Sequence, residues 1–408
     1  MLDLAIIGGG ASGFFTALQY AEMTRGKRVA LFEKGSHFLQ KVRISGGGRC
    51  NVTHACFDPA EMSKNYPRGA QELRAAFHRW QPADTIGWFR SCGVELKTEA
   101  DGRMFPVTDS SETIIGCFLE KARQAGIPLH QNHALTAITR EDDGGFTLGF
   151  ENTAGPVRAR AVCIATGSLK GSSLLQHLLK LEQTLQPLVP SLFAFNVSDR
   201  RISGLAGVSH PNVSVRCETG GKPRSGPILI THRGFSGPAI LRLSAWEARD
   251  LAAVNHHFPF LIDWLPEMGS STVLEKFEES RRTHGAKLVR NSPIPPISRR
   301  LWERIVSCCG ITDETTWGQL PKASVRNLLD ALKAARFEAQ GKTTNKDEFV
   351  TCGGIDRKTI DFRTMQSRNV PGLFFVGECV DIDGITGGFN FQAAWTTAHI
   401  AATELSKL

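Results

Sequence analysis

Leu2-Asp3-Leu4-Ala5-Ile6-Ile7 runs straight into Gly8-Gly9-Gly10-Ala11-Ser12-Gly13, followed by FFTALQYAEM at 14–23 and RVALF at 28–32, which closes on Glu33. The short apolar run bounded by glycine predicts a strand, the next stretch an amphipathic helix, and RVALF a second strand. The order is a β–turn–α–β unit, and Gly8-x-Gly10-x-x-Gly13 falls where it turns from strand to helix. There Gly8 allows the tight turn, Gly10 lets a pyrophosphate approach the backbone, and Gly13 permits close packing of helix on strand. The helix start, with Ala11 and Ser12, offers free N–H groups and a dipole that favour an anion. Glu33 follows Gly13 by 20 residues at the end of the second strand, placed to accept a ribose hydroxyl. A dinucleotide is expected here.

The other end of the chain selects which one. Residues 372–392 read GLFFVGECVDIDGITGGFNFQ: a buried strand, Gly377-Glu378, a loop with Asp381 and Asp383, then Gly387-Gly388 opening a last helix at Phe389-Asn390. In that helix Phe391, Ala394, Trp395, Ala398 and Ala401 recur at helical spacing. A nicotinamide fold has no use for a second glycine turn so far downstream. A flavin does, because its ring and ribityl tail need a second clamp, and a helix N-terminus stabilises the anionic reduced ring. In this reading Gly388 and Asn390 hold the pyrimidine edge of the flavin. A plain tight turn is the alternative.

The 408 residues, 41% apolar with 40 Gly, are ordinary globular material, enough for two or three domains. No apolar run is long enough for a transmembrane helix, and no membrane partner is expected. The opening lacks a basic leader region, which disfavours secretion. Ten Cys in no ligand-spaced cluster disfavour a disulfide scaffold or a metal site, and a reducing cytoplasm is expected. Texture shifts near Pro187-Leu188-Val189-Pro190, and α/β texture returns after 345. The expected fold class is therefore α/β, with a discontinuous Rossmann-like FAD-binding domain from 1–190 and 345–408. An inserted antiparallel β-rich domain takes 191–265 and 311–344, and a basic helical subdomain takes 266–310. The net charge is +8, and between Arg281 and Arg304 seven cations face one acid, Glu303. Such a segment is either a solvated face or a surface for phosphate.

Three strings carry a resemblance: KVRISGGGRCNVT at 41–53, THRGFSGPAIL at 231–241 and VPGLFFVGECVDIDGITGGFNFQAAW at 370–395. They resemble the BaiN/RdsA family of FAD-dependent flavoproteins, over nearly the whole chain. The resemblance implies FAD, a glutathione-reductase-like FAD domain, and an inserted β-barrel-like domain with a helical appendage. It implies cofactor contacts from Lys34, Lys41, Ser45, Gly46, Gly47, Arg49, Cys50, Asn51, Leu135, Thr166, Gly167, Gly377, Glu378, Asp383, Gly387 and Phe389, besides Gly8, Gly10, Ala11, Ser12, Gly13, Glu33, Gly388 and Asn390. The family is linked to uridine reduction in large-subunit ribosomal RNA and to small-molecule redox chemistry. After Ala165-Thr166-Gly167 the chain reads Ser168-Leu169-Lys170, a shorter loop than the family's. Arg103-Met104-Phe105-Pro106 resembles a family segment near the flavin, with a plain turn as the alternative.

Candidate catalytic groups are Cys50, a thiol beside Arg49 that is either a proton donor or packing, and His232 with Arg233, facing the ring or lying on a surface turn. With only Tyr20 and Tyr66 present, a phenolic acid is not expected. No second GxGxxG marks an NAD(P)H domain, so a nicotinamide donor would reach the flavin transiently. The expected reaction is hydride transfer from flavin N5, with uracil in structured ribosomal RNA as substrate and the basic segment as the RNA contact. A small-molecule amine oxidase or enone reductase, and a non-catalytic FAD-stabilised binding protein, stay open.

Overall fold

The computed structural model describes residues 1–153, 155–343 and 350–408. The chain forms two units, Met1–Val189 with Lys346–Leu408, and Pro190–Asn345. The expected junction at 344/345 lies outside the described residues.

In the first unit, β1 (Leu2–Ile7), α1 (Ala11–Met23) and β2 (Val29–Phe32) form the unit read from the sequence. β1 pairs with β2 in parallel, Leu4 opposite Val29 and Ile7 opposite Phe32. On its other side β1 pairs in parallel with Val157–Ile164, and that strand with Leu373–Phe375. The two ends of the chain thus share one sheet. Leu129–His130 extends the parallel set beyond β2, and two antiparallel hairpins bring the sheet to nine strands. Leu4, Ala5 and Ile6 are fully buried, as a central parallel strand covered on both faces requires.

The last helix, Phe389–Leu405, packs beside α1, with the Phe15 and Trp395 rings 5.4 Å apart. It is buried well beyond the apolar stripe read from the sequence, since Gln392, Thr396 and Thr397 are also fully buried. Their polar atoms are satisfied internally. Thr397 Oγ1 donates to Ala393 O at 2.7 Å, and Gln392 Oε1 accepts from Thr53 Oγ1 at 2.7 Å and Thr85 Oγ1 at 3.0 Å.

The second unit holds a seven-stranded sheet whose neighbours are all antiparallel, running from Ala335–Gln340 at one end to Lys342–Thr343 at the other. Those two end strands are joined through Gly341. Its N–H donates to His256 O at 2.9 Å and its carbonyl accepts from Asn196 N at 3.0 Å. The sheet therefore closes on itself in the manner of a barrel. Among the described residues, the basic stretch expected as a separate helical subdomain shares its core with the sheet. Phe277, Val289, Leu301 and Trp302 join Phe235, Phe260 and Phe337 of the sheet in one apolar cluster, because each helix there has only a narrow apolar face to bury.

Candidate cofactor site

The glycine loop after β1 is held by close contacts. Gly8 has φ +115°, and a Cβ there would lie 2.4 Å from Ala165 O; a Cβ at Gly13 would lie 2.0 Å from Gly8 O. Those two glycines are needed by the protein itself. Gly10 is different: a Cβ there would meet nothing within 4 Å. α1 starts after Gly10 with no side-chain cap among the described residues and no acidic residue in its first turn, so its first N–H groups lack an intrahelical partner beside that open space. Glu33 is fixed beside the loop, accepting from Gly9 N at 2.8 Å and Gly35 N at 2.7 Å. Phe32 stacks on Phe150 at 4.3 Å, and Phe150 is the register partner of Leu135, which brings buried Leu135 to the end of β2. Lys34 is exposed.

Ala165 N donates to Ile7 O at 2.8 Å, so Ala165-Thr166-Gly167 starts where β1 ends. Thr166 Oγ1 is buried there with no hydrogen-bond partner among the described residues. Gly377, from the far end of the chain, has φ +71° and abuts the first turn of α1, where a Cβ would lie 2.7 Å from Ser12 Oγ. Glu378 next to it accepts from Thr351 N at 2.9 Å and pairs with Lys41. Thr351 Oγ1 in turn donates to Ser168 Oγ at 2.6 Å, tying down the short loop after Gly167.

Lys41 lies in the first turn of α2 (Gln40–Gly48), which is helical only to Ile44; Ser45 takes ψ 145°, and Gly46 and Gly47 take φ +59° and +69°. Beyond the break, Asn51 crosses to the final turn. With its amide oriented to satisfy its neighbours, Oδ1 accepts from Gly388 N at 2.9 Å, and Nδ2 donates to Thr53 O at 3.0 Å and Met104 O at 3.3 Å. Met104 belongs to the strand Arg103–Pro106, antiparallel to β3 (Thr53–His54). Arg103–Pro106 is thus a supporting strand of the site rather than a turn. Arg49 lies over the Phe105 ring at 3.9 Å and donates to Glu99 Oε1 at 2.6 Å. Cys50 is completely buried, and burial pushes its thiol up to about 12 despite a hydrogen bond with Ser45. A sealed thiol meets no substrate, so the structure favours packing over proton donation at Cys50.

The turn before the last helix corrects three sequence readings. Asn390 is spent on its own loop, with Oδ1 accepting from Gly384 N at 2.8 Å and Nδ2 donating to Gly384 O at 2.9 Å. Gly388 (φ +91°) is required by protein, since a Cβ would lie 2.4 Å from Thr53 O; what approaches it is the Asn51–Thr53 backbone. Asp383, fully buried, forms a two-pronged ion pair with buried Arg68. Around the turn, a Cβ at Gly387 would lie 2.8 Å from the Phe389 ring, which stacks on His54 at 4.7 Å. Tyr66 OH donates to Phe389 O at 2.6 Å, so the buried tyrosine is a strut, with burial holding its pKa well above the usual value.

The first unit therefore gathers the Gly8–Gly13 loop, Glu33, Thr166-Gly167, Lys41, Gly377-Glu378, the Ser45–Asn51 loop and the 384–390 turn into one network. His232 and Arg233 belong to the second unit, exposed on the turn between Gly220–Thr231 and Gly234–Ser236. Sequence reading missed the residues that hold the loops: Arg68, Tyr66, His54, Glu99 and Thr351. No local signal marks them, since Arg68 and Tyr66 meet partners more than 300 residues away.

The profile of the HI0933-like protein Rossmann domain matches residues 2–404. The chain is 30% identical to the ribosomal RNA dihydrouridine synthase of Escherichia coli K12, covering 99% of this chain and 98% of that protein. It is 25% identical to the 3-dehydro-bile acid delta(4,6)-reductase of Clostridium scindens, covering 98% of each. The fold is similar to that of a 3-ketosteroid delta1-dehydrogenase from Sterolibacterium denitrificans, with a TM-score of 0.54 at 10% identity over 99% of each chain.

Proposed function

The chain belongs to the HI0933-like Rossmann-domain family, and on that premise we propose an FAD-dependent oxidoreductase that reduces uridine to dihydrouridine in large-subunit ribosomal RNA, with NAD(P)H as electron donor. The observation that carries the FAD reading is the cradle beside α1. An uncapped helix start lies next to open space beside Gly10, a buried Thr166 hydroxyl lacks a partner among the described residues, and Glu33 is pinned alongside. These residues fit a dinucleotide. The N–H groups of Ala11–Gly13 would take the diphosphate, Glu33 a ribose hydroxyl, and Thr166 Oγ1 a polar atom of the cofactor. When bound, FAD supplies two-electron hydride chemistry.

The protein's part is to position and to exclude. Asn51 bridges the Ser45–Asn51 loop to Gly388, so the two loops are tied together. The first N–H groups of the last helix have no carbonyl one turn back, and they hold positive potential at that terminus. Arg49, anchored by Glu99 and Phe105, keeps a cation beside the loop. A base in structured RNA reaches such a site only when extruded from its stack.

RNA is favoured over a small substrate by the similarity over nearly the full length to a ribosomal RNA dihydrouridine synthase and by the cations of 281–304. Pairing trims that segment: Arg281 bonds Glu278, Arg290 pairs with Asp313, and Arg299 with Glu303. Arg282, Lys287, Arg300 and Arg304 stay exposed, and these four are the phosphate contacts proposed. A second reading, an enone reductase for small molecules, rests on the likeness to the bile acid reductase. Mass mapping of ribosomal RNA from a strain lacking the gene decides between them. Loss of one dihydrouridine supports the RNA reading; an unchanged map, with NAD(P)H-dependent enone reduction by the purified protein, supports the second.

A further inference from the structure

The second unit carries a cavity of about 440 Å³, lined by Ser198, Asp199, Arg200, Arg201 and Cys308. Its walls are the turn that follows Ala194–Asn196 and the end of the helix Arg299–Cys308. The carboxylate of that lining is already engaged. Asp199 accepts from Arg201 N at 2.8 Å and from Arg201 Nη2 at 2.7 Å, and the Arg201 guanidinium lies 3.9 Å over the Phe337 ring. Asp199 and Arg201 therefore form a fixed, neutral side of the cavity. Arg200 beside them is exposed and forms no ion pair among the described residues.

The same turn meets two further cations from the helix. Arg300 Nη2 donates to Gly204 O at 2.8 Å, and a Cβ at Gly204 would lie 3.8 Å from Arg304 Nη2. Arg300, Arg304 and Cys308 recur every four residues, which puts them along one side of the helix. That side is held in place because Leu301, Trp302, Ile305 and Val306 are buried in the apolar cluster. Glu303, the one acid of the helix, is taken by Arg299. Over 197–204 and 299–308, five arginines against two acids leave a charge of +3. Both acids are paired, so Arg200, Arg300 and Arg304 carry that excess.

We propose that this cavity seats a backbone phosphate of the RNA substrate, with Arg200 meeting it and with Arg300 and Arg304 meeting phosphates of the adjoining nucleotides. The inference rests on the RNA reading above and carries its contact surface beyond the basic segment, to a turn outside 281–304. An anion is the occupant that the charges select, and a guanidinium matches a phosphate through two parallel N–H bonds. Contacts of this kind fix the register of a nucleic acid on the protein without reading its bases.

Cys308 supplies a reporter in the cavity itself, since its thiol is free and only partly buried. The full-length protein as purified is titrated with a ribosomal RNA fragment at two or three salt concentrations, and thiol alkylation is followed by peptide mass. Bound RNA should block alkylation of Cys308 and leave Cys92, a partly buried thiol of the first unit, unchanged. Arg200→Ala, at an unchanged Tm and flavin content, should flatten the slope of log K against log[salt] by about 0.7–0.9. The same variant should restore alkylation of Cys308 in the complex. Inorganic phosphate at matched ionic strength should not protect Cys308; protection equal to that by RNA would identify a site for free phosphate and overturn the proposal. It is also overturned, with the RNA reading intact, if RNA binds while Cys308 stays alkylatable or while the Arg200→Ala slope equals that of the wild type. A wild-type protein that binds no RNA at any salt overturns both.

Discussion

Replacing Arg68 by Met removes the guanidinium that meets Asp383 through Nε and Nη2. Arg68 is 8% exposed and Asp383 not at all, so the stranded carboxylate cannot be rehydrated without opening the loop. Removing one member of a buried ion pair costs about 3–5 kcal/mol. For a unit of this size each kcal/mol moves Tm by about 2–4 °C, so the transition of the first unit should fall by roughly 6–20 °C. The pair matters beyond stability because it fixes the loop that leads into the 384–390 turn; a Cβ at neighbouring Gly69 would lie 2.4 Å from Ile382. Arg68→Met with Asp383→Leu removes both charges and should recover most of the loss, since apolar replacement of a whole buried pair is often neutral. Thermal unfolding and flavin content, measured for both single variants and the double, complete the cycle. The reasoning fails if Asp383→Asn keeps the wild-type Tm but loses flavin, which would return Asp383 to the role of cofactor ligand.

Gly388→Ala forces a side chain into a φ of +91° against Thr53 O, at a cost of at least about 1–3 kcal/mol. The flavin-free protein should already melt lower, whereas an unchanged apoprotein with a shifted flavin spectrum would restore the ring-contact reading. His399, whose ring nitrogen bonds Gln19 Oε1 at 2.7 Å, is brought down to about 4 by burial and then by Arg79. The unfolded chain binds the proton first as pH falls from about 6.5, so stability present above that value should be lost progressively toward pH 4. Discounted for partial exposure the loss is about 1–2 kcal/mol, and His399→Gln should flatten the dependence of Tm on pH. Changing Arg300 and Arg304 to Ala should flatten the slope of log K against log[salt] for a ribosomal RNA fragment by about one to two units. Flavin content should not change, and equal slopes would remove the charge-based support for an RNA substrate.

How much was legible follows the range of the interactions. The β–turn–α–β unit, Gly13 against Gly8 O, and Glu33 at the end of β2 were readable because strand, turn and helix signals lie within 33 residues. The meeting of the chain ends was also readable, because a second glycine turn has no use alone. Asn390 and Asp383 were misread as ligands because residue type shows a capacity to bond, not the partner that takes it up; Gly384 and Arg68 are set only by the fold. The charge count over 281–304 erred similarly, since Glu278 and Asp313 lie outside the window counted. Cys50 looked reactive beside Arg49, yet Arg49 turns to Glu99 and Phe105 while the thiol is buried.

The central claim is that loops from both ends of the chain cradle a flavin dinucleotide, and the chromophore of the purified protein tests it most directly. The account predicts a yellow protein that releases FAD on denaturation, with Glu33→Gln holding less of it, because one carboxylate oxygen becomes an NH2 that meets the Gly9 or Gly35 N–H and the charge offered to a ribose hydroxyl is lost. Release of FMN alone, or a colourless protein that takes up no FAD when it is supplied, would contradict it.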